Sequence, residues 1–237
     1  MFRTFIWFLY LTIYVIGSIP QLFNVKHLIK KGEIEKSNRI ITRKTKSWTK
    51  QMLWLAGARV KVKGLDNIPK DTACVFVGNH QGNFDFLMFL RYFGPIGFIA
   101  KKEILKVPVI RSWMKVLDCV FLDRKDARQS LAAINKGAEL IKNGYSMAVF
   151  PEGTRSKSTK LGEFKKGSLK LAIKAGVPIV PVALNGTYKL FEEHNRIIKP
   201  ADVTVNILKP VYPDKLTVED RNNLIEYVKA LIEKGIE

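Results

Sequence analysis

His80 and Asp85 stand five positions apart in NHQGNFD (79–85), directly after the apolar run ACVFV, in a chain with only three histidines. An imidazole titrating near neutrality is well suited to take a proton from a hydroxyl at neutral pH. A carboxylate folded back under the ring fixes its tautomer and stabilises the imidazolium that forms. The residues between the two, Gly82 among them, allow such a turn. The same spacing also suits a plain helix start, with Asp85 in a first turn where acids favour the dipole. The other histidines fit a proton-transfer role less well: His27 lies in a basic stretch and His194 in the polar run FEEHNR.

Further polar residues follow other short apolar runs. Lys101 and Lys102 come after GFIA, Arg124 after CVFLD, and Pro151, Glu152, Gly153, Thr154 and Arg155 after SMAVF. Singly, a lysine past a strand is solvated and PEGT is a good turn. Open α/β sheets, however, bind ligands outside the carboxyl ends of their strands, so these residues are expected at one edge. There Lys101, Arg124 and Arg155 can hold an anion, arginine doing so bidentately on phosphate. No G-x-S-x-G elbow supplies a protein nucleophile, because KKGSLK (165–170) lacks the strand-to-helix context. The edge has too few His and Cys for a zinc site. GEFKKGS (162–168) lacks the lysine that a phosphate-binding loop carries after its second glycine. A base with an orienting acid and no protein nucleophile implies that the substrate brings its own hydroxyl, and the cations imply a phosphate beside it.

A sheet has to position these groups. From Ala58 onward, short β-branched runs alternate with helix-like segments, the pattern of an α/β domain with a mostly parallel central sheet flanked by helices. About seven strands are expected, near RVKVKG, ACVFVG, IGFIAK, CVFLDR, SMAVFPE, PIVPVAL and VTVNIL. Helices are expected over 84–92, 109–116, 127–143, 166–174 and 218–234. No repeat or long linker divides this part. Cys74 and Cys119 both lie in apolar runs and read as reduced core residues.

The formal charge of +19 asks for an anionic partner: nucleic acid, a membrane surface or a small acidic substrate. Between Lys26 and Lys70 there are 13 Lys and Arg against 3 acids, over half of the excess. This stretch follows the uncharged segment TFIWFLYLTIYVIGSIPQLFNV (4–25), which as one helix would reach about 33 Å, enough to cross a bilayer. Gly17, Ser18 and Pro20 argue against one straight span, and no A-x-A-like cleavage site follows. Next, Ile34, Ile41, Trp48, Met52 and Leu55 share one helical stripe, flanked or opposed by Lys36, Arg39, Arg43 and Lys50. Such a helix can lie among the headgroups of an anionic leaflet, with Trp7, Phe8, Trp48 and Trp54 as interfacial aromatics, or pack on the domain as an ordinary amphipathic helix. Residues 1–57 are therefore expected to form an N-terminal pair of hydrophobic and amphipathic membrane-binding helices, and 58–237 the α/β domain. The aromatics do not interleave with the basic residues in a nucleic-acid-binding module, which argues against that partner.

Four blocks, NHQGNFD, CVFLDR, FPEGTRS and VPIVPVAL, occur in this order over about 80–184. They resemble those of the glycerolipid acyltransferases of the lysophosphatidic acid type, the 1-acyl-glycerol-3-phosphate acyltransferases. The specific part is FPEGTRS together with H-x-x-x-x-D, whereas CVFLDR is a looser match. The resemblance implies that His80, supported by Asp85, deprotonates the 2-hydroxyl of 1-acyl-glycerol-3-phosphate. That oxygen attacks an acyl thioester, and phosphatidic acid results. The resemblance also implies that Arg124, Glu152, Gly153 and Arg155 belong to the acceptor site, and Thr154 and Lys101 are grouped with them. Arg155 and Arg124 are assigned to the phosphate, Glu152 to orienting hydroxyls or Arg155, and Gly153 to close backbone approach. Pro181, in the fourth block, is placed on the acyl-donor side, a bulge or an edge position explaining a proline in a strand. An oxyanion donor is expected in a backbone N–H near Gly82. No metal or cofactor is expected, acyl-coenzyme A or acyl carrier protein being a co-substrate. The expected partners are lysophosphatidic acid, the thioester carrier and an anionic phospholipid membrane, at the cytoplasmic face of the inner membrane and without nucleic acid. The rival readings are another acceptor, such as glycerol-3-phosphate or a different lysolipid, and, further off, a basic nucleic-acid-binding protein or an inactive membrane-anchored interaction protein.

Overall fold

The computed structural model describes residues 1–123, 126–165 and 167–236. The chain opens with α1 (Phe2–Gly17), α2 (Ile19–Lys30) and α3 (Ile34–Ala56). α1 stops at Ser18, whose hydroxyl turns back to the Val15 carbonyl at 2.7 Å. Pro20 sits in the first turn of α2, where its missing N–H leaves no intrahelical bond unmade. The two helices meet at a bend of 42°, as Gly17, Ser18 and Pro20 lead one to expect. No single described helix is long and apolar enough to cross a bilayer, although this bent pair is by length and composition.

Beyond α3, Gly57 takes φ 75° and turns the chain into β1 (Ala58–Lys63). There follow β2 (Val75–Gly78), α4 (Asp85–Phe93), β3 (Gly97–Lys101), α5 (Pro108–Val116), β4 (Val120–Leu122), α6 (Ala127–Lys142) and β5 (Met147–Val149). The chain closes with α7 (Lys170–Ala175), β6 (Ile179–Asn185), β7 (Ala201–Ile207), α8 (Val218–Asn222) and α9 (Leu224–Ile236). Every expected strand is present. The expected helix over 218–234 is broken at Asn223, and the one over 166–174 starts only at Lys170.

The strands form one sheet in the order β1-β7-β6-β2-β5-β3-β4. β6, β2, β5, β3 and β4 run parallel, so their carboxyl ends share one edge. β7 runs antiparallel to β6 and parallel to β1. Alternation along the strands divides the core into two layers. Phe76, Ala148, Val180 and Val182 face a layer that holds Leu87, Met88 and Phe89 of α4. Val75, Val77, Met147 and Ile179 face a layer with Ile141 of α6, Leu171 of α7 and Val228 of α9.

The N-terminal helices join the first layer: Trp7, Met52, Leu53 and Ala56 pack in the same cluster as Phe84 and Phe89. This corrects two sequence expectations. Trp7, expected at the membrane, is 8% exposed, and its indole N–H donates to the Met52 carbonyl at 3.0 Å. The buried face of α3 carries Ser37, Ile41, Thr45, Thr49, Met52, Leu53 and Ala56, so two residues of the expected headgroup-facing stripe are core residues. Trp48 is half-buried, with Tyr14 stacked on it at 5.9 Å and Phe86 at 6.3 Å. An apolar stripe needs a cover, and here α4 and the first two helices supply it before any lipid can. Phe8, Trp54, Lys36, Arg39 and Arg43 remain exposed.

Candidate active site

β2 delivers the loop that carries His80. Its last residue, Gly78, must lack a side chain, because a Cβ there would stand 2.6 Å from Phe89 Cζ. Asn79 then clamps the loop to β6: its Nδ2 donates to the Leu184 carbonyl at 2.9 Å, and its Oδ1 accepts the Leu184 N–H at 2.7 Å. A short turn brings Asp85 to the first position of α4, fully buried beneath His80. Asp85 Oδ2 lies 2.6 Å from His80 Nδ1 and accepts the Gly82 N–H at 2.8 Å. Its Oδ1 accepts the hydroxyl of Thr187. With a carboxylate so placed, Nδ1 carries the ring proton and Nε2 keeps its lone pair. The ring stacks on Phe150, centroids 4.4 Å apart, and its side chain is 23% exposed. A buried acid, a fixed tautomer and a reachable Nε2 are what a general base requires.

The loop after β5 is strapped alongside. The Ser156 N–H donates to the His80 carbonyl at 2.8 Å and the Lys157 N–H to the Gln81 carbonyl at 3.1 Å. Glu152 is buried and works on the backbone: Oε1 accepts the His80 N–H at 2.7 Å and Oε2 the Gly162 N–H at 2.9 Å. Burial pushes its carboxyl above the ordinary range, and the two N–H donors offset part of that. Gly153 takes φ 68°, a left-handed turn that glycine adopts without a steric penalty. Two residues on, Arg155 Nη1 meets Glu192 Oε1 at 3.0 Å, and the same oxygen accepts the Asn83 N–H at 2.8 Å. The cationic fork is thereby fastened beside the loop that carries His80.

Residues 59–185 match the family model described as Acyltransferase. The chain belongs to that family. A chloroplastic 1-acyl-sn-glycerol-3-phosphate acyltransferase of Brassica napus is 41% identical over 173 residues, 71% of this chain and 50% of the relative. A 1-acyl-sn-glycerol-3-phosphate acyltransferase of Borreliella burgdorferi is 33% identical over 186 residues, 78% of this chain and 74% of the relative. The chain thus spans half the length of the plant relative and about three-quarters of the bacterial one. The crystal structure of the 1-acyl-sn-glycerophosphate (LPA) acyltransferase PlsC from Thermotoga maritima shares the fold with a TM-score of 0.87 and 31% identity, over 99% of this chain and 93% of that one.

In this member of the family the structure gathers His80, Asp85, Glu152, Gly153 and Arg155 of the residues singled out from sequence. Thr154 is exposed on the same loop. Lys101, also exposed, ends β3, two strands away from β2, and the adjacent Lys102 pairs with Asp123. Arg124 lies outside the described residues. Two placements differ from expectation, and a third takes one of its two alternatives. Glu152 holds the backbone at His80 and Gly162, not a hydroxyl or Arg155. The Gly82 N–H is engaged by Asp85, and the Asn83 N–H by Glu192, so neither is the oxyanion donor. Pro181 is buried inside β6 opposite Val77, one residue before the end of β2, in an interior strand and not at an edge. The neighbouring chain steps out between Ile207 and Val211, with one residue more than β6 has between Val182 and Ile179. That irregularity accommodates a residue without an N–H. The residues missed from sequence are Thr187, Gln81 and Glu192. Thr187 follows β6 at the same edge and was within reach of the rule that picked out the other loops.

Proposed function

We propose that this protein transfers an acyl group from a thioester, on coenzyme A or acyl carrier protein, to the 2-hydroxyl of 1-acyl-glycerol-3-phosphate, giving phosphatidic acid. The observation that carries this reading is His80, with Nδ1 on the buried Asp85 and Nε2 toward the site, fastened to a loop that presents Arg155. His80 Nε2 takes the hydroxyl proton as the oxygen bonds to the thioester carbonyl carbon. The tetrahedral intermediate collapses by breaking the C–S bond, and the imidazolium returns its proton to the leaving thiolate. Asp85 stabilises the imidazolium between these steps. Arg155 holds the acceptor phosphate, Lys101 is a further cation at that edge, and Arg124 keeps the phosphate role that the sequence resemblance implies. The decisive experiment offers the purified full chain lysophosphatidate, glycerol-3-phosphate and lysophosphatidylcholine, each with acyl thioesters on both carriers. Turnover of lysophosphatidate well above the others is expected, and turnover of glycerol-3-phosphate alone overturns the assignment.

The same reading puts the enzyme on an anionic membrane surface, at the cytoplasmic face of the inner membrane. Phe2, Phe5, Leu9, Ile13 and Ile16 of α1, and Phe23 of α2, are all exposed. A continuous apolar face of this kind marks a lipid contact. It belongs to the first helices and not to α3, whose contribution is the exposed Lys36, Arg39 and Arg43. The opposite side of α1 touches the active site: Trp7 meets Phe84 at 5.4 Å and Phe8 meets Phe191 at 6.1 Å, so a docked enzyme holds His80 close to its lipid. Phe5→Asp combined with Ile13→Asp exchanges two exposed side chains, each of which contributes about 1.5–3 kcal/mol when buried. Cosedimentation with phosphatidylglycerol-containing vesicles should fall at least about tenfold, with far-UV circular dichroism unchanged. Wild-type sedimentation would show that another surface binds lipid.

A further inference from the structure

Glu192 belongs to none of the four sequence blocks, yet its side chain is 4% exposed and sits between two segments of the site. Oε1 receives both the Asn83 N–H and Arg155 Nη1. Oε2 is buried, has no hydrogen-bond partner among the described residues, and lies against Gly82, where a Cβ would come within 2.5 Å of it. A carboxylate in such a place is unfavourable unless its partners hold it, and burial raises its pKa accordingly. The segment that carries it is itself fixed, through the Glu193 N–H on the Tyr188 carbonyl and through Phe191 against Phe8 of α1.

Arg155 is 37% exposed, and among the described residues the Glu192 pair, through Nη1, is the hydrogen bond that orients its guanidinium. A long side chain so exposed samples many rotamers without such a tether. The pair engages one nitrogen of a fork whose geometry matches phosphate bidentately. We infer that Glu192 is a positioning residue for acceptor binding. It fixes the guanidinium of Arg155 against the His80 loop, so that a substrate phosphate is held at the distance from which the acceptor hydroxyl reaches Nε2. The burial of Glu192 keeps its own charge compensated by Arg155 and Asn83 and turned away from the anion. This inference rests on the assignment of Arg155 to the phosphate.

The test is steady-state kinetics of the purified full chain in mixed micelles, with lysophosphatidate and acyl thioester varied separately. Glu192→Ala should raise the KM for lysophosphatidate by roughly 10- to 100-fold, since it removes a charge-assisted hydrogen bond, and leave the thioester KM in place. Glu192→Gln, whose neutral carbonyl oxygen still accepts from Asn83 and Arg155, should keep a smaller rise of severalfold. In an Arg155→Ala background neither change should add a further rise. A loss confined to kcat, an equal rise in both KM values, or full additivity with Arg155→Ala overturns the inference. Where Glu192→Ala fails to fold, Glu192→Gln with and without Arg155→Ala decides alone: an acceptor KM raised severalfold only when Arg155 is present supports it, and an unchanged KM overturns it. A wild-type chain that does not turn over lysophosphatidate overturns the Arg155 assignment and this inference together. Normal wild-type turnover with unresponsive Glu192 variants overturns only the inference.

Discussion

Exchanging His80 for alanine lowers kcat by roughly 10³-fold, the scale of general-base catalysis, while the fold and vesicle binding stay at wild-type level. The backbone of residue 80 remains pinned after the exchange, its N–H on Glu152 and its carbonyl under the Ser156 N–H, so the loop keeps its course. Asp85 loses one partner and retains the Gly82 N–H and the Thr187 hydroxyl, which keeps its burial tolerable. No other described imidazole can substitute. His27 is exposed on α2, and His194 lies on the loop beyond Glu192, its Nε2 3.5 Å from Glu193. The buried carboxyls of Glu152 and Glu192 are engaged by backbone N–H groups. Initial rates in mixed micelles alongside near-UV circular dichroism make the measurement. Turnover near the wild-type level in a folded variant would remove His80 from the chemistry.

The sheet is readable from sequence because its strands are short apolar runs bounded by turn residues, and the central ones, β2, β5 and β6, are buried on both faces as in an α/β sandwich. The site followed from one rule, that polar residues just past parallel strands share an edge. That rule needs the strands to be parallel. It does not announce where they cease to be, and β7 turns antiparallel to β6 because the loop between Asn185 and Ala201 holds no α-helix to carry a crossover. The face of α3 was misjudged for a different reason. Periodicity reports that Ile41 and Met52 share a stripe, but whether α4 or lipid covers it is a tertiary fact. Glu192 left no local signal at all, since a carboxylate in FEEHNR looks solvated until Asn83 and Arg155, far away in the chain, close on it. Gly82 shows the same limit: its N–H was read as available, and the fold gives it to Asp85.

Asp85→Asn should lower kcat by at least about 10²-fold with little change in either KM, and the hydrogen bonds decide how the loss arises. Every partner of this carboxylate is a donor: His80 Nδ1–H and the Gly82 N–H on Oδ2, and the Thr187 hydroxyl on Oδ1. An asparagine has one accepting oxygen, so its NH₂ must face either His80 or Thr187. Thr187 can adapt, because its hydroxyl proton can swing to Gln81 Oε1 at 3.3 Å and expose a lone pair to the new NH₂. The amide oxygen then stays on His80 and Gly82, the tautomer is kept, and what disappears is the charge that stabilises the imidazolium. Thr187→Val removes that adaptation. In the Asp85→Asn background the NH₂ would then be buried without an acceptor, because turning the amide over would set it against the Gly82 N–H, itself a donor, and leave the amide oxygen unpaired as well. The pair of exchanges should therefore lose about 1–3 kcal/mol more stability than the two single exchanges combined, read from urea unfolding, while kcat stays near that of Asp85→Asn alone. Wild-type kcat in Asp85→Asn would show that Asp85 only caps α4, and stabilities that simply add with Thr187→Val would show that Thr187 does not hold the amide.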